Sequence, residues 1–248
     1  SQGPLLLPSI RTGRQASGRG PSSLISFPMA RPQMKRRVVG IDVGGSRKGF
    51  HAVALEGGTF LARRQTCGVE DLVRWCRDVV GASIVAIDAP CRWSTGGRVR
   101  PAERELLAHG IRCFFTPSRR VAVQHPKHYY EWMLRGAELF RALEKTHPLC
   151  REAPTADVAC CFETFPHAIS WHLRGGNAAA AKKKVQRLAL LRRHGGYAPC
   201  LVSIDWIDAA LCAVVAAMAA AARPLKLYGE ERTGYIIVPA SPQPAGLA

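Results

Sequence analysis

The stretch that decides the fold is residues 38–90, VVGIDVGGSRKGFHAVALEGGTFLARRQTCGVEDLVRWCRDVVGASIVAIDAP. Its first five residues, VVGID (38–42), are apolar and rich in β-branched side chains, then stop at Gly44-Gly45, which reads as a buried strand. Phe50 to Leu55 is a second strand, and Glu56-Gly57-Gly58-Thr59 turns it into a third, Phe60 to Gln65. Val69, Leu72, Val73, Cys76 and Val80 recur at helical spacing, so a helix is expected over 69–80. Ser83 to Asp88 is apolar on both faces and reads as a central strand.

Downstream the rhythm breaks. Residues 89–155 hold a loop at Trp93–Gly97, a short charged helix at Pro101–His109, an apolar stretch at Cys113–Ser118 and an amphipathic helix at His128–Lys145. They are expected to be an insertion packed on the sheet. A strand at Ala159–Thr164, helices at 167–173, 179–194 and 204–222, and a last strand at Tyr235–Val238 complete the reading. An antiparallel hairpin that feeds a helix and then a parallel strand is the opening of the ribonuclease H-like fold. The expected class is therefore α/β, a mixed sheet flanked by helices with a helical insertion after the fourth strand.

The chain has 248 residues, 35 Lys plus Arg against 18 Asp plus Glu, and a net charge of +17. Such an excess suits a polyanion, most often nucleic acid, although basic composition also arises without one. Residues 1–37 carry seven basic residues and no acid among many Pro, Gly and Ser. They read as a disordered extension: a nucleic-acid-binding arm, a transit-type peptide, or a segment without a role upstream of Met34. Residues 241–248 read as a disordered tail, leaving 38–240 as one domain. The nine cysteines include no CxxC pair and behave as small hydrophobes of a reducing compartment, so the expected location is the cytoplasm. The longest apolar run, Ala209 to Ala222, is 14 residues and falls short of the roughly 18 that suggest a membrane span. No membrane partner is expected.

Four acids stand at the edges of apolar segments: Asp42, Asp88, Glu163 and Asp208. A carboxylate there is costly to desolvate unless something pairs with it. Three have a plain structural explanation, a turn for Asp42 and Asp88, an ion pair with an arginine for Glu163. Asp205 suits a helix start behind the cap Ser203, but Asp208 lies a turn further in, where capping no longer accounts for it. Acids converging from several elements form the kind of oxygen site that binds Mg²⁺ or Mn²⁺. All four are candidate metal ligands and catalytic residues. Lys182, Lys183 and Arg187, with Arg100, Arg104 and Arg112 from the insertion, are candidate phosphate contacts or simply a solvated basic face.

VVGIDVGGSRKG (38–49), IVAIDAP (84–90), RPAERELLAHGIRCFFTPS (100–118), YEWMLRGAELFRALE (130–144), FETFPHAI (162–169), KKKVQRLALLRRHG (182–195), IDWIDAALCA (204–213) and YGEERTGYIIVP (228–239) resemble, in this order, the DUF429 family. That family is regarded as one of predicted nucleases with the ribonuclease H-like fold. The resemblance implies a site laid out like that of Holliday-junction resolvases. One acid comes from the first strand (Asp42), one from the fourth (Asp88) and one from the last helix (Asp208), with Glu163 and Glu103 as additional candidates. Two features depart from better-known ribonuclease H enzymes: Glu70 and Asp71 sit only at the start of the first helix, and the insertion is large.

The leading functional expectation is metal-dependent hydrolysis of phosphodiester bonds in nucleic acid. A second is phosphoryl transfer to a small molecule, because Gly40 to Ser46 also resembles the first phosphate loop of the actin and hexokinase fold. A third is a binding module for nucleic acid without catalysis.

Overall fold

The computed structural model describes residues 36–97, 99–155 and 158–241. The expectations for the extension before residue 36 and for the tail beyond 241 lie outside the described residues.

Seven strands form one sheet in the order β3-β2-β1-β4-β5-β7-β6. They are β1 (Arg37–Val43), β2 (Phe50–Glu56), β3 (Thr59–Thr66), β4 (Ile84–Asp88), β5 (Cys160–Glu163), β6 (Leu225–Glu230) and β7 (Gly234–Pro239). β2 is antiparallel to β1 and to β3, whereas β4, β5 and β7 follow β1 in parallel. The β2–β3 connection is the expected two-glycine turn, with Gly57 and Gly58 at φ of 57° and 83°. Both central residues of such a hairpin turn need positive φ, and only glycine adopts that without strain. Hairpin, helix and parallel strand follow one another as expected, and the fold is ribonuclease H-like.

β6 was not anticipated, and it pairs antiparallel with β7 at the sheet edge. Its alternation of half-buried Leu225 and Leu227 with exposed Lys226 is that of an edge strand covered on one side.

Helices cover both faces. On one lie α5 (Pro166–Leu173), α6 (Lys183–His194) and α7 (Ile204–Ala220), packed on Val38, Val53, Ile84, Ala86 and Phe162. On the other lie α1 (Val69–Arg74), its wider-wound continuation Trp75–Val80, and α4 (Glu131–Leu143), packed on Val39, Ile41, Val85 and Ile87. α7 is apolar all round because it is enclosed, with the sheet beneath and α5 and α6 above. The short helices α2 (Pro101–Ala108) and α3 (Arg119–Gln124) complete the insertion. α3 was not anticipated. Its start is set by Ser118, whose hydroxyl accepts the Val121 N–H.

No helix among the described residues is long and apolar enough to cross a membrane.

A candidate metal centre

Strand periodicity places the first two acids. β1 and β4 are in register with Asp42 level with Asp88. Alternate side chains leave opposite faces of a strand. Val38 and Ile84 belong to the α7 side, so Asp42 and Asp88, an even number of residues on, also leave toward α7. The third acid arrives from that helix. Ser203 caps α7 by accepting the Trp206 N–H, which sets Asp208 one turn inside and over the strand ends. One oxygen each from Asp42, Asp88 and Asp208 lies within 4.8 Å of the others.

Gly40 makes this approach possible. A Cβ at that position would stand 2.0 Å from the Ala213 nitrogen and 2.2 Å from the Ala209 oxygen, both backbone atoms of α7. Any side chain there would lift the helix that carries Asp208.

Negative charge in this spot is under-compensated. Burial, then Asp208 and Asp205, push the Asp42 carboxyl up to about 8, against the pull of Lys48 and Arg187. Burial, then Asp42 and Asp208, push Asp88 well above the usual carboxylate range. Burial also raises Asp208, although Arg187 pairs with it and pulls the other way. Crowded acids of this kind hold protons unless a cation neutralises them. Three hard oxygen donors within one ion's reach suit Mg²⁺ or Mn²⁺, and no Cys or His belongs to the group.

Glu163 is not gathered with the three. It is level with Ile87 rather than Asp88, one residue out of phase, so its side chain leaves on the opposite face. There it accepts Arg100 Nη2 at 2.6 Å, Arg100 Nη1 at 2.8 Å and the Cys91 N–H at 2.8 Å. Glu103 takes Arg100 Nε and the Arg100 N–H at 2.9 Å each, and also the Thr116 N–H and hydroxyl. One arginine and two glutamates, each 1–4% exposed, thus tie the insertion to β5. This arrangement corrects two expectations: Glu163 is an ion-pair partner, and Arg100 is enclosed where no backbone phosphate reaches it. Glu103 is held in the same network.

A groove of about 570 Å³ runs beside Asp88 and Asp208, lined by Arg112, Lys183, Arg187 and Phe114. Arg112 and Lys183 are exposed, whereas Arg187 is buried against Asp208. Arg104 and Lys182 are exposed but not among the lining residues. Asp205 stays out of the trio and pairs with Lys48 at 2.7 Å. Lys48 was overlooked in the sequence, where its only signal is a basic residue in the turn that leaves the Asp42 strand.

A family model described as "Protein of unknown function (DUF429)" matches residues 40–233, most of the chain. The chain belongs to the DUF429 family. The matched span of this DUF429 chain contains Asp42, Asp88, Glu163 and Asp208. Among curated proteins none matches it. Among solved structures it is similar to RuvC from Thermus thermophilus, at 19% identity over 75% of this chain and 96% of that one, with a TM-score of 0.40.

Proposed function

We propose that this protein hydrolyses phosphodiester bonds of nucleic acid with Mg²⁺ or Mn²⁺ at Asp42, Asp88 and Asp208. The observation that carries the reading is the convergence of these three largely enclosed carboxylates, with too little positive charge to match them, on one edge of the groove. A pure polyanion binder gains nothing from such a cluster, which would repel its ligand.

Divalent ions in this setting lower the pKa of water and offset charge on the leaving oxygen. The chain's own residues do the rest. Asp42, Asp88 and Asp208 would hold the ion, each offering one carboxylate oxygen within 4.8 Å of the others. Arg187 restrains Asp208 in one rotamer through their buried ion pair. Arg112 and Lys183 along the groove attract the phosphate backbone and fix its register over the acids.

The phosphotransferase reading meets an obstacle in the loop it depends on. A Cβ on Gly45 would lie 2.6 Å from the Glu131 carboxylate, and hydrogen bonds from Ser46 hold that carboxyl below its usual range. An acid of the insertion therefore fills the cradle a phosphate would need.

Calorimetric titration of Mn²⁺ tests the site. Binding is expected in the wild type, weakened by Asp42→Asn and Asp208→Asn and retained in Glu163→Gln. An absence of binding, or binding indifferent to both aspartate changes, would remove the catalytic reading and leave a basic binding module.

A further inference from the structure

A second cavity, about 200 Å³, adjoins the candidate metal centre on the insertion side. Asp88, Phe114 and Phe165 line both it and the basic groove, so the two are continuous. Its walls are the rings of Phe114, Trp132 and Phe165 with Val43, Cys113 and Ile236. Phe114 meets Trp132 edge to face at 6.1 Å between centroids, yet stays 62% exposed. That ring shows a face that nothing in the described chain covers.

The floor is the Arg100–Glu103–Glu163 network, whose members satisfy one another. Glu163 accepts three hydrogen bonds and meets the Cys91 thiol as well, so the floor is polar yet already satisfied by the chain itself. The cavity therefore offers flat apolar surface over a closed polar floor. Its volume lies below the roughly 300 Å³ at which sites for drug-sized ligands begin, which suits one ring system. An aromatic slot beside a phosphate-attracting groove is how proteins hold a splayed-out base, by stacking rather than by reading sequence.

We propose that this cavity takes one unpaired base of the nucleic acid, next to the phosphodiester presented to Asp42, Asp88 and Asp208. The inference rests on the hydrolytic reading above and names its substrate class: single strands, or duplexes with an unpaired nucleotide. A base inside an intact helix cannot reach such a slot without leaving the stack and its pairing partner. Arg112 and Lys183 hold the flanking phosphates, and the stacked base fixes which phosphodiester lies over the acids.

Binding of 2-aminopurine oligonucleotides to the full chain, with Ca²⁺ replacing Mg²⁺ to slow cleavage, tests this. Three probes are compared: a single strand, a duplex with one unpaired 2-aminopurine, and the matched duplex. The first two should bind at least about tenfold more tightly than the third, with 2-aminopurine fluorescence quenched by stacking. Phe114→Ala should weaken them by about 5- to 150-fold, the worth of one base–aromatic stack. Phe115→Ala, at an exposed neighbour that does not line the cavity, should leave affinity unchanged. Equal affinity for the matched duplex, equal effects of the two substitutions, or no binding of any probe would overturn the base slot. Mn²⁺ calorimetry on the same samples separates the two failures. Retained metal binding would leave the hydrolytic centre standing, whereas its absence in the wild type would remove both.

Discussion

Gly40→Ala is the smallest change that should reach the proposed metal centre without touching a carboxylate. The added methyl would stand 2.0 Å from the Ala213 nitrogen and 2.6 Å from the Cys212 carbonyl carbon, against about 3.4 Å for an ordinary contact. All three of its nearest atoms are backbone, so no side chain can swing away, and α7 or β1 must separate by about 1.4 Å. Forcing a methyl into a packed core costs about 1–3 kcal/mol, only partly offset by the stiffer unfolded chain. In a domain of this size 1 kcal/mol moves Tm by about 2–4 °C, so Tm should fall by about 2–12 °C. Because α7 carries Asp208 and β1 carries Asp42, the same displacement opens the trio. Mn²⁺ affinity should then drop by about 10- to 100-fold, as when support around a metal site is lost. Differential scanning calorimetry and Mn²⁺ titration read the two effects. Gly96→Ala, where nothing lies within 4 Å of the new methyl, serves as control and should stay within about 0.5 kcal/mol. A Gly40→Ala protein with wild-type Tm and wild-type Mn²⁺ affinity would refute the seating of α7 on β1, and with it the geometry of the site.

Arg100→Met should destabilise the protein by about 3–5 kcal/mol in urea unfolding, because it leaves Glu103 and Glu163 buried without their cation; a loss below about 1 kcal/mol would contradict the network. His172 is buried against Tyr228 and Ser241, and burial, then the charges of His109 and Lys226, pull its pKa down to about 4 from 6.5. The folded state favours neutral imidazole, so this stabilisation is complete above pH 6.5 and fades as pH falls to about 4. Unfolding measured across that window should lose part of its acid slope in His172→Asn, and an unchanged slope would count against the assignment.

Much of this architecture is written locally. The β-branched runs of β1 and β4, the two-glycine turn between β2 and β3 and the spacing of α1 mark the elements of the first half of the sheet in the sequence alone. The same runs show that Asp42 and Asp88 end neighbouring strands, and the position of Asp208 past its cap shows that capping does not explain it. β6 and α3 escaped notice because an edge strand and a six-residue helix carry too few buried positions to set a period. Lys48 gave little signal in the chain, and the three aromatic rings of the cavity gave none.

What the sequence by itself determined is the list of acids, the class of fold and the basic character that suits a polyanion. Only the tertiary structure decided which acids meet. A strand reverses the direction of its side chains with every residue, so one position of register sends Asp88 toward Asp42 and Asp208 and sends Glu163 to the opposite face, into the hands of Arg100. That register depends on how β5 docks beside β4 some 70 residues away in the chain, a distance over which local pattern carries no phase.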